Sequence, residues 1–116
     1  MFPKTIKKRA EFLKASRDGV RVRTNSFIVL CRKNDGEFPL VGYTASRKVG
    51  KAVLRNKAKR RLRSLVREFE AKFSPGYSFV FIAKNETAVA RFTDLRSDFM
   101  HCLTKAKAYL GAAGVV

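Results

Sequence analysis

Acidic side chains are scarce in this 116-residue chain: nine Asp and Glu stand against 26 Lys and Arg, for a formal net charge of +17. So few carboxylates cannot neutralise the surface from within, and an excess of one sign this large points to a polyanionic partner. Cysteine is rarer still. Cys31 and Cys102 lie far apart with no second thiol near either, which excludes a disulfide framework and a four-ligand zinc site. Both thiols read as small buried hydrophobes. A lone histidine, His101, excludes acid–base cleavage by a histidine pair, and its neighbour Cys102 would point about 100° away on a helix. With no Ser-His-Asp set and no metal-ligand cluster, neither catalytic nor metal-binding residues are expected in the protein itself. Asp94 and Asp98 share a helix face, where capping or pairing with Arg91 or Lys105 is the expected role.

Long hydrophobic runs are also missing. Residues 27–31 and 79–83 form the longest, far below the roughly 18–20 residues of a membrane span. Residues 1–9 are basic with no apolar stretch behind them, so no secretory signal is read. A cytoplasmic location without membrane contact is expected.

What the chain does hold is material for a core, with 46% of residues hydrophobic and 11% aromatic. A single domain is expected over 1–116, folded from about 4 to 110, with 111–116 a flexible tail. A helix is expected over about 6–17, with Ile6, Ala10 and Leu13 on one face and Gly19 at its stop. A strand over 23–32, the turn residues Lys33, Asn34, Asp35 and Gly36, and a strand over 40–45 read as a hairpin. Leu54, Ala58, Leu62, Leu65, Phe69 and Phe73 then recur at three- and four-residue intervals, one stripe of a long helix ended by Ser74, Pro75 and Gly76. A strand over 77–83 is apolar almost throughout and expected at the centre of the sheet. Phe92, Leu95, Phe99, Leu103, Ala106 and Leu110 mark a last helix. The order α-β-β-α-β-α, with a βαβ crossover, implies the α+β class and a single-domain α-β sandwich.

Charge concentrates on the long helix. No acidic residue falls between Glu37 and Glu68, but Arg47, Lys48, Lys51, Arg55, Lys57, Lys59, Arg60, Arg61, Arg63 and Arg67 do. Arg55, Lys59, Arg63 and Arg67 step along one side of the helix together with Asn56 and Arg60, while Lys57 and Arg61 take the opposite flank. Like charges at i,i+4 cost helix stability, so the missing counter-charge is expected to arrive with a partner. Arginine dominates the stripe, and its planar fork suits phosphate oxygens. Zinc-finger and basic-zipper DNA readers lack their ligands and heptads here, and the apolar face of the helix can be covered within the fold. RNA therefore leads as the partner.

Ser46-Arg47-Lys48-Val49-Gly50-Lys51-Ala52-Val53-Leu54-Arg55-Asn56-Lys57-Ala58-Lys59-Arg60-Arg61-Leu62-Arg63 resembles the signature of the bacterial ribonuclease P protein subunit. In that family a strand runs into Lys-x-Gly-x-Ala-x-x-Arg-Asn-x-x-Lys-Arg-x-x-Arg. The likeness extends over about residues 4–110. It implies an α-β sandwich whose βαβ crossover is left-handed, against the usual rule. It also implies a role in removing the 5′ leader of precursor transfer RNA, with catalysis by the RNA subunit and Mg2+ bound mainly by RNA. The protein is then an endoribonuclease only as part of the holoenzyme, with ribonuclease P RNA and precursor tRNA as partners and no protein partner expected.

By this resemblance Lys48, Lys51, Arg55, Asn56, Lys59, Arg60, Arg63 and Arg67 are the expected RNA-binding residues. Phe12 and Ser46 are expected to line the leader cleft between the first helix and the sheet, and Gly50 to fit a turn that a side chain would hinder. Lys57 replaces an arginine common in relatives. Ser16 and Leu30 stand where some relatives carry cleft aromatics, which shifts leader binding here from stacking toward charge. The alternative is a ribosomal-protein-like structural RNA binder.

Overall fold

The computed structural model describes residues 4–6, 12–14, 17, 19–34, 39–73 and 76–112. Among the described residues five strands form one sheet: β1 (Lys4–Thr5), β2 (Val20–Arg23), β3 (Phe27–Lys33), β4 (Leu40–Ala45) and β5 (Tyr77–Ala83), in the order β1-β4-β5-β3-β2. Three helices follow β4 in the chain: α1 (Ala52–Glu68), α2 (Asn85–Val89) and α3 (Phe92–Ala112). Strand β5 is central, as its apolar sequence implies. It runs parallel to β4, from Leu40 opposite Ser78 to Ala45 opposite Ala83, with α1 as the crossover between them. On its other side it runs antiparallel to β3.

Alternation along the strands sorts the two faces. One carries Val29, Cys31, Val41, Phe79 and Phe81, and α1 and α3 cover it with Ala58, Leu62, Leu65, Leu95, Phe99 and Cys102. Aromatic contacts tie these layers together: Phe81 stacks on Phe99 with centroids 5.1 Å apart, and Phe73 meets Phe79 edge-on at 5.0 Å. The opposite face holds a smaller cluster of Ile6, Leu30 and Val80, with Phe12, Leu40 and Ile82 packed against it. Both cysteines are buried. Burial lifts the Cys31 thiol to about 12 and pushes Cys102 higher still, which keeps both neutral and unreactive. Among the described residues no helix is long and apolar enough to cross a membrane.

The α-β-β-α-β-α order is present, with differences in detail. The first helix does not begin at Ile6, whose N–H donates to the Val41 carbonyl at 2.9 Å and so extends β1 alongside β4. Residues 12–14 and 17 are helical, and the rest of that expected helix lies outside the described residues. The strand expected over 23–32 breaks at Thr24, Asn25 and Ser26. There Thr24 Oγ1 accepts from the Ser26 and Phe27 N–H groups at 3.2 and 3.0 Å, closing a tight β2–β3 hairpin. The hairpin expected between 23–32 and 40–45 does not form, because β5 inserts between β3 and β4.

Helix α1 stops at Glu68 rather than at Ser74, which itself lies outside the described residues. Phe69 leaves helical geometry (φ −107°, ψ 24°), and a 3-10 turn over Glu70–Lys72 lets Phe69 and Phe73 both reach Phe99, at 5.4 and 6.1 Å. Gly111, assigned by sequence to the tail, is in the last turn of α3. Residues 113–116 lie outside the described residues.

Candidate nucleic-acid interface

The chain leaves β4 at Ala45 and enters α1 through a short 3-10 turn over Arg47–Val49. Ser46 holds that turn: its hydroxyl accepts from the Lys48 N–H at 3.3 Å and its carbonyl from Val49 at 3.1 Å. Gly50 then adopts φ 128°, a conformation closed to other residues, and a Cβ there would sit 2.7 Å from Leu54 Cδ1. The expected need for glycine at this turn is met. Arg55 reaches back, donating to the Gly50 carbonyl at 2.9 Å, so one guanidinium nitrogen of this signature arginine fixes the turn. No side chain caps the first turn of α1 and no acidic residue lies in it, leaving the positive end of the helix dipole uncompensated beside Lys48 and Lys51.

The cations stand out from α1 as the sequence places them. Lys48, Lys51, Asn56, Arg60, Arg63 and Arg67 are exposed, and Arg55 and Lys59 are half-buried. Among the described residues no ion pair links Lys59, Arg60 or Arg63 to a carboxylate. Next after the stripe in the chain, Glu68 takes a bidentate contact from Arg96 of α3 at 2.6 and 3.1 Å. The structure thus brings eight expected contact residues onto one turn and helix. Self-repulsion on this surface should weaken when an anion binds it. Added sulfate is accordingly expected to raise the melting temperature and far-ultraviolet helicity more than chloride at equal ionic strength. Identical responses to the two salts would count against such sites.

Two residues of this region carry roles that the charge pattern does not disclose. Arg61 donates to the carbonyls of Thr87 at 2.8 Å and Ala90 at 2.5 Å, with its guanidinium 5.7 Å from the centre of the Phe92 ring. It fastens α1 to the end of α2. Its place on the opposite flank of the stripe is the only sequence sign of this. Tyr43, on the helix-bearing face of β4, stacks on Phe81 and lies 5.2 Å beneath the Arg63 guanidinium. Burial lifts its hydroxyl to about 12 against the opposing pull of Arg63 and Arg67, so the ring under Arg63 stays neutral.

On the other face of the sheet, Phe12 lies against Gly42 of β4 and packs on the Ile6, Leu30 and Val80 cluster while remaining half-exposed. It packs on the core and still shows part of its ring to solvent. Beyond it, Thr44, Ile82 and Ile28 are level across three strands and only partly buried, forming a floor that leads toward exposed Ser46. The expected cleft residue Ser46 therefore sits where this floor meets the mouth of α1. Ser16 lies outside the described residues, and Leu30 is buried beneath Phe12's cluster.

The described residues contain no group of three or more His, Cys, Asp and Glu that could hold a metal ion. Asp98 accepts from Ser26 Oγ at 2.6 Å, holding the β2–β3 turn against α3 in place of the expected pairing with Arg91 or Lys105.

Comparison with known proteins agrees with this geometry. The family model described as Ribonuclease P matches residues 3–107. The chain is 41% identical over 105 residues to the ribonuclease P protein component of Ruegeria pomeroyi, covering 86% of this chain and 83% of that one. It is 34% identical over 100 residues to that of Syntrophus aciditrophicus, covering 86% and 84%. The solved Staphylococcus aureus RNase P protein superposes with a TM-score of 0.79 at 28% identity, over 89% of this chain and 94% of that one. Fold, basic helix and relatives converge: the chain belongs to the ribonuclease P protein family, is the protein component of a tRNA-processing endoribonuclease, and associates with that enzyme's RNA.

Proposed function

We propose that the protein grips ribonuclease P RNA through the turn at Ser46 and the basic side of α1, and holds the 5′ leader of precursor tRNA on the opposite face of the sheet. Lys48, Lys51, Arg55, Asn56, Lys59, Arg60, Arg63 and Arg67 contact phosphates in this reading, and Phe12 and Ser46 line the leader path. Cutting falls to the RNA with its Mg2+ ions. Among the described residues no group of three or more His, Cys, Asp and Glu could hold such an ion. We place the complex in the cytoplasm.

The observation that carries the leader assignment is the half-exposed Phe12 ring at the edge of a partly buried floor that ends at Ser46. Only precursor tRNA offers unpaired leader nucleotides, and stacking needs an unpaired base. In holoenzyme reconstituted at low magnesium, Phe12→Ala is expected to weaken precursor binding by about 1–3 kcal/mol and leave mature tRNA binding nearly unchanged. A variant that melts lower but discriminates precursor from mature tRNA as well as the parent would return Phe12 to the core alone. Protein without RNA is expected to cut nothing, and RNA without protein to work poorly.

A further inference from the structure

We infer that Gly42 is a positioning residue for leader recognition: by lacking a Cβ it lets the Phe12 ring lie directly on the β4 backbone and so sets the depth of the cleft. The inference rests on the leader assignment above and adds a residue to it.

Glycine in the middle of a strand is a cost, since it packs nothing and orders more backbone than any other residue. Two glycines of this chain are explained by their backbone, Gly50 and Gly76, with φ 128° and 89°. Gly42 is not among the positive-φ residues, so its conformation suits any side chain. The reason lies in what stands over it. A methyl group on Gly42 would fall 2.8 Å from Phe12 Cε1, 2.9 Å from Phe12 Cζ and 3.2 Å from Ile6 Cβ. Ordinary carbon contacts are about 3.5–4.0 Å, so something would have to move by close to 1 Å.

Ile6 is poorly placed to yield. It is buried, and its N–H is bonded to the carbonyl of Val41, the residue next to Gly42. Across the sheet Gly42 is level with Val80 and Leu30, which are buried in the same cluster. The half-exposed Phe12 ring is the freer party, and lifting into the space away from the sheet relieves the contact. That is the space a stacked base would occupy. A side chain at position 42 would therefore spoil the cleft without touching RNA.

The test compares binding of precursor and mature tRNA by holoenzyme reconstituted with wild-type protein, Gly42→Ala, Phe12→Leu, and the Gly42→Ala, Phe12→Leu double variant. Gly42→Ala is expected to lower the precursor-to-mature affinity ratio about ten-fold, with mature tRNA binding unchanged. Leucine is shorter than the ring and leaves room for the methyl group, so the double variant is expected to match Phe12→Leu alone. That comparison stands even where the single Gly42→Ala protein fails to fold. A Gly42→Ala ratio equal to the parent's, while Phe12→Ala lowers it, overturns the role of Gly42 and leaves the leader cleft standing. A double variant with a further loss beyond Phe12→Leu overturns it as well. Ratios unchanged in both Gly42→Ala and Phe12→Ala overturn the two together.

Discussion

A double variant, Arg60→Ala with Arg63→Ala, is expected to bind ribonuclease P RNA at least about a hundred-fold more weakly at low salt. Each arginine can give a phosphate a charge-assisted contact worth roughly 1.5–3 kcal/mol. The two are exposed and without a carboxylate among the described residues, so little is lost within the protein when they go. Arg63 is the better anchored, since Tyr43 holds its guanidinium from below. Each lost phosphate contact should also lower the slope of log K against log salt by about 0.7–0.9. The control is Arg32→Ala. By strand alternation Arg32 belongs to the sheet face opposite α1, and it is expected to cost far less affinity for the RNA subunit. Titrations at several salt concentrations read all of this. Equal losses at Arg32, Arg60 and Arg63 would mean diffuse attraction by a +17 surface and no special role for the stripe.

The adjacent arginine should behave in the opposite way. Arg61→Ala is expected to lower stability by about 2–4 kcal/mol while leaving the salt slope of RNA binding unchanged. It removes two charge-assisted hydrogen bonds, to Thr87 and Ala90, together with the contact to Phe92. Arg61→Lys keeps the charge but cannot bridge two carbonyls with one planar group, and should recover only part of the loss. Urea unfolding set beside RNA titration separates the outcomes. An Arg61→Ala protein with an unchanged urea midpoint and weakened RNA binding would move Arg61 from the staple to the interface.

Arg60 and Arg61 also show how far the sequence can be read. The helical stripe is legible because burial of Ala58, Leu62 and Leu65 follows from a period of 3.6. The same period locates Arg61 on the far flank but cannot say that carbonyls from residues 87 and 90 will wait there. Leu54 heads the apparent apolar stripe and is exposed, because it lies over Gly50 at the turn and not over the sheet. Strand β5 is legible as central from its composition. The break at Thr24 carries a weaker sign, the turn formers Asn25 and Ser26, and the side chain of Thr24 closing on Phe27 fixes it. Pairing is harder still: an Asn34-Asp35-Gly36 turn predicts a local hairpin, whereas the sheet places β5 between the two strands. On the functional side, the basic signature is contiguous and visible. Gly42 and Tyr43 work through Phe12 and Arg63, contacts that span 30 and 20 positions, and nothing local marks them.

The insertion of β5 between β3 and β4 has a bearing on how the molecule is made. A nascent chain emerges with β2 and β3 able to pair and β1 and β4 able to pair, but nothing joins the two halves until residues 77–83 arrive. The complete basic helix is synthesised before the strand that closes the sheet beneath it. Closure thus depends on long-range contacts formed late, the kind that slow folding and leave strand edges open in the interval. A chain cut between Glu68 and Tyr77 would be two unmatched strand pairs bearing a charged helix, not a smaller version of the domain.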